Sequence, residues 1–250
     1  MSGHRGPWPG DEQCFEPEQV KLLQRAVVHL SWLLSREYSF KSSLQLVGDR
    51  FQLVARQRLA VGRSACSDEA RHRRRARCRP MTAVGLGPLL IDGFNLLITI
   101  ESALAGGVLF AGRDGAIRDL ASVHGSWRRV AETERAMQII AAALATAGGP
   151  ECIWFLDAPV SNSGRLCGIL KQMAQERGLP WSVELTMNPD QKLAQASGLV
   201  VSSDALILDR AEFWVNVTET VLTTFDQVQL IHFDGEAGSD AGVDDSAERN

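Results

Sequence analysis

The chain has 250 residues, 45% of them hydrophobic, and a formal net charge of −4. That length and apolar content suit one large domain or a medium one with a small companion, and the near-neutral average says nothing about partners. The charge distribution says more: six arginines fall between Arg71 and Arg79, while the stretch after Asp234 is acidic except for Arg249.

The five cysteines, Cys14, Cys66, Cys78, Cys152 and Cys167, are odd in number and irregularly spaced. This argues against a disulfide framework and for a reducing compartment. There is no CxxC pair, and Cys66, His72 and Cys78 fit no closed zinc pattern. No apolar run approaches the roughly 20 residues that span a bilayer. The polar, Pro- and Gly-containing start lacks the apolar core of a signal peptide. The expectation is a cytoplasmic protein with no membrane partner.

Residues 1–15 show no periodicity and read as a loose leader. From Pro17 onwards Val20, Leu23, Val27, Leu30 and Leu34 recur at helical spacing, which predicts an amphipathic helix to about Ser35. A second segment, 42–47, ends at Gly48-Asp49, a helix stop or turn, and 51–59 suits helix or strand. This unit of about 45 residues is marginal alone and needs something to pack against. Residues 64–80, charged and arginine-dense, read as a solvated linker; the sharper alternative is a phosphate-neutralising nucleic-acid contact.

From Leu89 strand and helix alternate. Apolar runs 89–91 and 153–156, the run at 183–185 and the run 199–201 read as strands; 132–146, 165–177 and a short segment from Asp190 read as helices; 211–216 and 229–233 are further strand candidates. Strands interleaved with helices imply a mostly parallel sheet with helices on both faces.

Each of the four main runs leads to an aspartate: Asp92, Asp157, Asp190 and Asp204. Parallel α/β sheets place ligands at the ends of such strands. Four carboxylates on one edge repel one another, and a divalent cation between them would relieve that repulsion. Asp190, beside Pro189, also reads as a simple helix cap, and Asp209 is near enough to Asp204 to join the cluster or to begin the next turn. Phe94 stands where a phosphoaspartate enzyme needs its second aspartate, and no P-loop occurs. His124 reads as structural or exposed. Trp127 reads as buried rather than base-stacking.

The order Leu90-Ile91-Asp92-Gly93-Phe94-Asn95, Phe155-Leu156-Asp157-Ala158, Asp190 before a helix, then Val201-Ser202-Ser203-Asp204 resembles the PIN-like nucleases, particularly their bacterial NYN branch. With the helical unit at 20–63, Ile98-Thr99-Ile100-Glu101, Arg113-Asp114-Gly115 and Ser161-Asn162-Ser163-Gly164, the chain is similar to the uncharacterised family catalogued as domain of unknown function four-three-four over about residues 16–225.

The resemblance implies an α/β, PIN-like three-layer domain at 88–234, preceded by a small helical domain at 16–63; composition adds an arginine-rich linker at 64–87 and an acidic disordered tail at 235–250. It implies that Asp92, Asp157, Asp190 and Asp204 bind Mg²⁺ or Mn²⁺, with Asp92, Asp157 and Asp204 catalytic and Asn95, Ser161, Ser163 and Asp209 in support. Arg113, Arg118, Arg128 and Arg129 precede or border the helix after the first strand; they read first as a solvated helix face and otherwise as candidate phosphate contacts. The expected function is metal-dependent cleavage of RNA. The alternative is a non-catalytic RNA- or protein-binding module, with the helical domain as a docking surface for a protein partner.

Overall fold

The computed structural model describes residues 4–121 and 125–233, so the expected acidic tail and His124 lie outside the described residues. The N-terminal helices are α1 (Asp11–Cys14), α2 (Pro17–Leu34), α3 (Phe40–Arg50), α4 (Ala55–Ser64) and α5 (Asp68–Arg77). There follow β1 (Cys78–Arg79), a 3₁₀ turn (Met81–Leu86), β2 (Leu89–Asp92), α6 (Gly93–Leu104), β3 (Leu109–Ala111), β4 (Ile117–Arg118), α7 (Thr133–Thr146), β5 (Cys152–Asp157) and α8 (Ser163–Arg177). The chain continues through β6 (Trp181–Thr186), α9 (Pro189–Ala194), β7 (Leu199–Val201), α10 (Ala205–Leu208), β8 (Phe213–Val215), α11 (Val217–Leu222) and β9 (Leu230–His232).

Six strands form one sheet in the order β1-β8-β7-β2-β5-β6, every pairing parallel. The strands read as continuous apolar runs because both faces are covered, and alternate side chains feed different cores. Leu89 and Ile91 enter a cluster with Ile100 of α6, Ile140 of α7, Leu170 of α8 and Val221 of α11. Leu90 points the other way, to Leu193 of α9, Ile207 of α10 and Trp214. This is the α/β architecture with a helical N-terminal region that the sequence predicts. The chain lays β5 and β6 on one side of β2, then returns to lay β7 and β8 on the other. Its direction therefore reverses between β2 and β7, the place where such sheets open a crevice at their carboxyl edge.

A second sheet, β4-β3-β9, supplies what the helical unit packs against. Leu23, Val27 and Leu30 of α2 share a buried cluster with Phe110 of β3, Ile231 of β9 and Phe233. As a sheet it has no counterpart among the sequence expectations, because its strands are only two or three residues long.

Three local expectations need correction. Residues 4–15 are not a loose leader: Asp11 is buried and bound by Arg56 (2.7 and 2.9 Å), Phe15 meets Phe110 edge-on, and Arg5 reaches the fully buried Glu101. Gly48 does not stop α3. The Arg58 guanidinium lies where a side chain would stand, an added Cβ meeting Nη1 at 2.2 Å, so a larger residue would push Arg58 off Asp49 and the Leu53 carbonyl. The arginine-dense segment is not a linker but helix α5. Ser67 accepts a hydrogen bond from Ala70 N at 3.1 Å, Asp68 and Glu69 occupy the first turn, and Arg74, Arg75 and Arg77 the last, so cap and charges both suit the helix dipole.

Candidate functional site at the carboxyl edge

Asp92 ends β2 directly beside the reversal point. Register pairs Ile91 with Val201 of β7 and Asp92 with Phe155 of β5, so the residues after Val201 come up alongside the Asp92 carboxylate. Ser202 Oγ donates to Asp92 Oδ2 at 2.8 Å, and Asn95 N donates to Oδ1 at 3.3 Å. Asp204 N in turn donates to Ser202 Oγ at 3.0 Å. Asn95 Oδ1 accepts from both Ser203 N (2.9 Å) and Ser203 Oγ (3.1 Å), bracing the start of α6 against the end of β7. Asn95 thus links Asp92 to Ser203. Ser202, to which sequence reasoning gave no role, is the direct partner of Asp92.

Gly93 permits this arrangement for a reason other than ligand approach. A Cβ there would meet Leu156 Cδ2 at 2.6 Å and the Phe155 carbonyl oxygen at 3.0 Å, so the start of α6 is pressed onto β5.

The four aspartates lie in one electrostatic field. Burial pushes Asp92 up to about 7; its hydrogen bonds oppose this, and the charges of Asp190 and Asp204 add to it. Asp157, half-buried at the end of β5, is raised by burial and then by Asp190. Asp190, on the first turn of α9, is raised by the shielding of its carboxyl and then by Asp204. No cation neutralises any of them among the described residues. Nor do any three His, Cys, Asp or Glu side chains there form a group that could hold a metal ion unaided.

Capping roles fall differently from the sequence expectation. Asn188, not Asp190, caps α9, its side chain accepting from Gln191 N at 3.0 Å. Asp204 Oδ1 caps α10, accepting from Leu206 N (2.8 Å) and Ile207 N (3.3 Å).

Asp209 belongs to another assembly. Arg74, buried in α5, donates through Nε and Nη2 to its two carboxylate oxygens (2.9 and 2.8 Å) and through Nη1 to Asp114 at 2.7 Å. Arg118 closes on Asp114 with two further bonds, at 2.9 and 2.7 Å, and donates through Nε to the Ser203 carbonyl at 2.8 Å. These guanidinium bonds and charges hold Asp114 and Asp209 below the usual carboxylate range despite burial. Arg118 is therefore buried and committed, not a phosphate contact, and Arg113 is engaged by Cys66 O and Asp68. Arg128 is exposed. Ser161 hydrogen-bonds through its backbone to Gly125 and Trp127, and Ser163 is buried at the start of α8, its hydroxyl donating to the Ala158 carbonyl at 3.4 Å. Trp127 is fully buried, as expected.

A cleft of about 730 Å³ separates the helical unit from the carboxyl edge, with Phe40, Gly62 and Arg73 on one wall and Phe94, Asn95 and Asp204 on the other. Its size is that of a small-ligand or nucleotide site. Sequence reasoning missed it, because its walls come from segments far apart in the chain.

A family model described as a domain of unknown function (DUF5616) matches residues 83–220, more than half of the chain. The chain belongs to this family. The DUF5616 region takes in the aspartate edge and five of the six strands of the large sheet (β2, β5, β6, β7 and β8), while a second model, a protein of unknown function (DUF434), matches residues 22–77, most of α2 and all of α3 to α5. The uncharacterized protein MJ0935 of Methanocaldococcus jannaschii is 24% identical over 186 residues, covering 74% of this chain and 88% of that protein. No solved structure matches the chain. Among the described residues no helix is long and apolar enough to cross a membrane.

Proposed function

We propose that this DUF5616 protein is a PIN-like, metal-dependent phosphodiesterase that cleaves RNA, with Asp92, Asp157 and Asp204 as its catalytic carboxylates and Asp190 as a further metal ligand. The observation that carries the reading is the buried, uncompensated Asp92 at the reversal of the sheet, in the field of Asp190 and Asp204 and pushed up to about 7. A group in that state gains from the arrival of a cation. The donor set is all oxygen, which suits Mg²⁺ or Mn²⁺. No three of these side chains form a ready-made group among the described residues, so one or two of the carboxylates would hold the ion directly and the others would act through its waters, a shell that Mg²⁺ commonly completes with waters and substrate phosphates. When bound, the cation would activate water and neutralise charge developing on a phosphodiester.

The residues around it have separate tasks. Ser202 and the Asn95 amide fix the Asp92 carboxylate, Asn95 fixes Ser203, and Asp204 lines the cleft. Mn²⁺-dependent cleavage of mixed single-stranded and structured RNAs tests the reading. Wild type is expected to cleave, and Asp92→Asn and Asp204→Asn to lose at least about a hundredfold in rate, the lower range seen for removal of one electrostatic catalytic group. Absence of cleavage by wild type, or full activity in both variants, would sink it. The dispersed carboxylates favour one rival, a non-catalytic RNA-binding module, which predicts RNA binding indifferent to both substitutions.

A further inference from the structure

Beyond Asp157 the carboxyl edge changes sign. The loop 158–162 leads into α8 and lies against segment 125–131: Trp127 N donates to Ser161 O at 2.9 Å, Ser161 N to Gly125 O at 3.0 Å, and Asn162 Nδ2 to Trp127 O at 2.9 Å. Together they frame a second cavity of about 410 Å³ whose lining includes Arg128, Arg129, Arg165, Asn162 and Glu134.

Four arginines elsewhere in the fold, Arg56, Arg74, Arg113 and Arg118, are each held by carboxylates. Here only Arg129 has such a partner, the exposed Glu134 at 3.2 Å. Arg128 and Arg165 have no carboxylate partner among the described residues, although both border the same cavity. Guanidiniums gathered around one concavity repel each other, and an anion between them removes that cost. The 15-residue helix α8 begins here without a side-chain cap, because Asn162 turns its amide to Trp127, and its positive end adds to the same field.

Position decides which anion. Five residues of chain join Asp157 to Asn162, a reach of at most about 18 Å. A few nucleotides of extended single strand would bridge from the aspartate edge to the arginines. A basic cavity beside an acidic edge suits a phosphodiester chain, which needs a cation at the linkage under attack and fixed positive charge at its neighbours.

We propose that the cavity bordered by Arg128, Arg129 and Arg165 is a phosphate-binding subsite for the backbone of single-stranded RNA, holding the strand while a nearby linkage lies at Asp92 and Asp157. The choice of RNA rests on the phosphodiesterase reading; the anion site itself rests on the unpaired arginines.

The test is fluorescence anisotropy of a labelled oligouridylate of about 15 nucleotides, in EDTA so that no cleavage occurs, titrated with wild type, Arg128→Gln/Arg165→Gln and Arg128→Lys/Arg165→Lys over a range of salt. The glutamine variant is expected to bind about tenfold or more weakly at low salt. Its slope of log affinity against log salt should fall by about 1.4, since each single-strand phosphate that is no longer neutralised takes away roughly 0.7. The lysine variant should keep the wild-type slope. Unchanged affinity and slope in the glutamine variant overturn the subsite, as does competition by polyglutamate equal to that by RNA. Because no divalent cation is present, the two readings separate. Arginine-dependent binding without Mn²⁺-dependent cleavage keeps the subsite and removes the nuclease, and cleavage with arginine-independent binding does the reverse.

Discussion

Two groups of aspartates lie close together around Ser202 and Ser203, and the protein treats them oppositely. Asp114 and Asp209 are clasped by Arg74, Arg73 and Arg118, and their carboxyls sit below the ordinary range. Asp92, Asp157 and Asp190 have no guanidinium or ammonium partner among the described residues and are raised. Burial acts upward on every one of them, so the difference lies in whether folding supplies a counter-charge. Where it does, the charges tie α5 to the turn after β3 and to the end of α10. Where it does not, the structure retains an electrostatic cost that a ligand could relieve, which makes the raised group the functional candidate. The two assemblies touch, since Arg118 holds the Ser203 carbonyl and Ser203 is bound to Asn95. The clasped network is therefore also the support of the uncompensated edge.

Arg74 is where the clasp can be broken with the largest effect. Arg74→Met removes three bonds at once from two carboxylates and should destabilise the protein by about 3–5 kcal/mol, the usual cost of breaking a buried pair from one side. Urea denaturation at pH 7 measures it, and a loss under about 1 kcal/mol would mean that the network is ornamental.

At the edge the same type of change should have the opposite sign. A folded-state pKa of about 7 for Asp92 lies above the unfolded value of about 3.9. Its contribution to stability is therefore fully present below about pH 4 and is lost as pH rises to and through 7. Asp92→Asn, which keeps shape without charge, should stabilise the metal-free protein by up to about 4 kcal/mol at pH 8 and leave it nearly unchanged at pH 4. Thermal denaturation at the two pH values reads this directly. A destabilised variant at pH 8 would show that Asp92 is an ordinary paired carboxylate.

The edge was largely legible in the sequence, whereas the clasp was not. Strand ends such as Leu89-Leu90-Ile91-Asp92 announce themselves because a run buried on both faces has no polar alternation, and the aspartate marks where the apolar run stops. The amphipathic α2 was legible for a similar reason, its buried Leu23, Val27 and Leu30 repeating every three or four residues. Helix α5 was readable only at its ends, through Ser67, Asp68 and Glu69. Its arginines have no apolar stripe, and the partners that bury Arg74 lie 40 and 135 positions away. The small sheet and the cleft escaped for that same reason of distance. Within the site, Asp190 and Asp204 exchanged expectations: the residue read as a possible cap leaves capping to its neighbour Asn188, and the strand-end aspartate caps α10. Short-range sequence signals place a carboxylate near a helix start but do not say which of two oxygen-bearing side chains, two positions apart, makes the cap.

Everything proposed for the edge depends on its lacking a counter-charge that a divalent cation would supply. Calorimetric titration of Mn²⁺ into the metal-free protein at pH 7.5 to 8, with Asp92→Asn and Arg73→Gln as paired variants, is the decisive experiment. Arg73 belongs to the clasp, where its bonds to Glu69 and Asp209 are part-exposed, and its loss should cost no more than about 1 kcal/mol and leave the edge intact. Saturable heat with proton release is expected in wild type and in Arg73→Gln, and none in Asp92→Asn. No heat in wild type at millimolar Mn²⁺, or equal binding by Asp92→Asn, would refute the uncompensated edge.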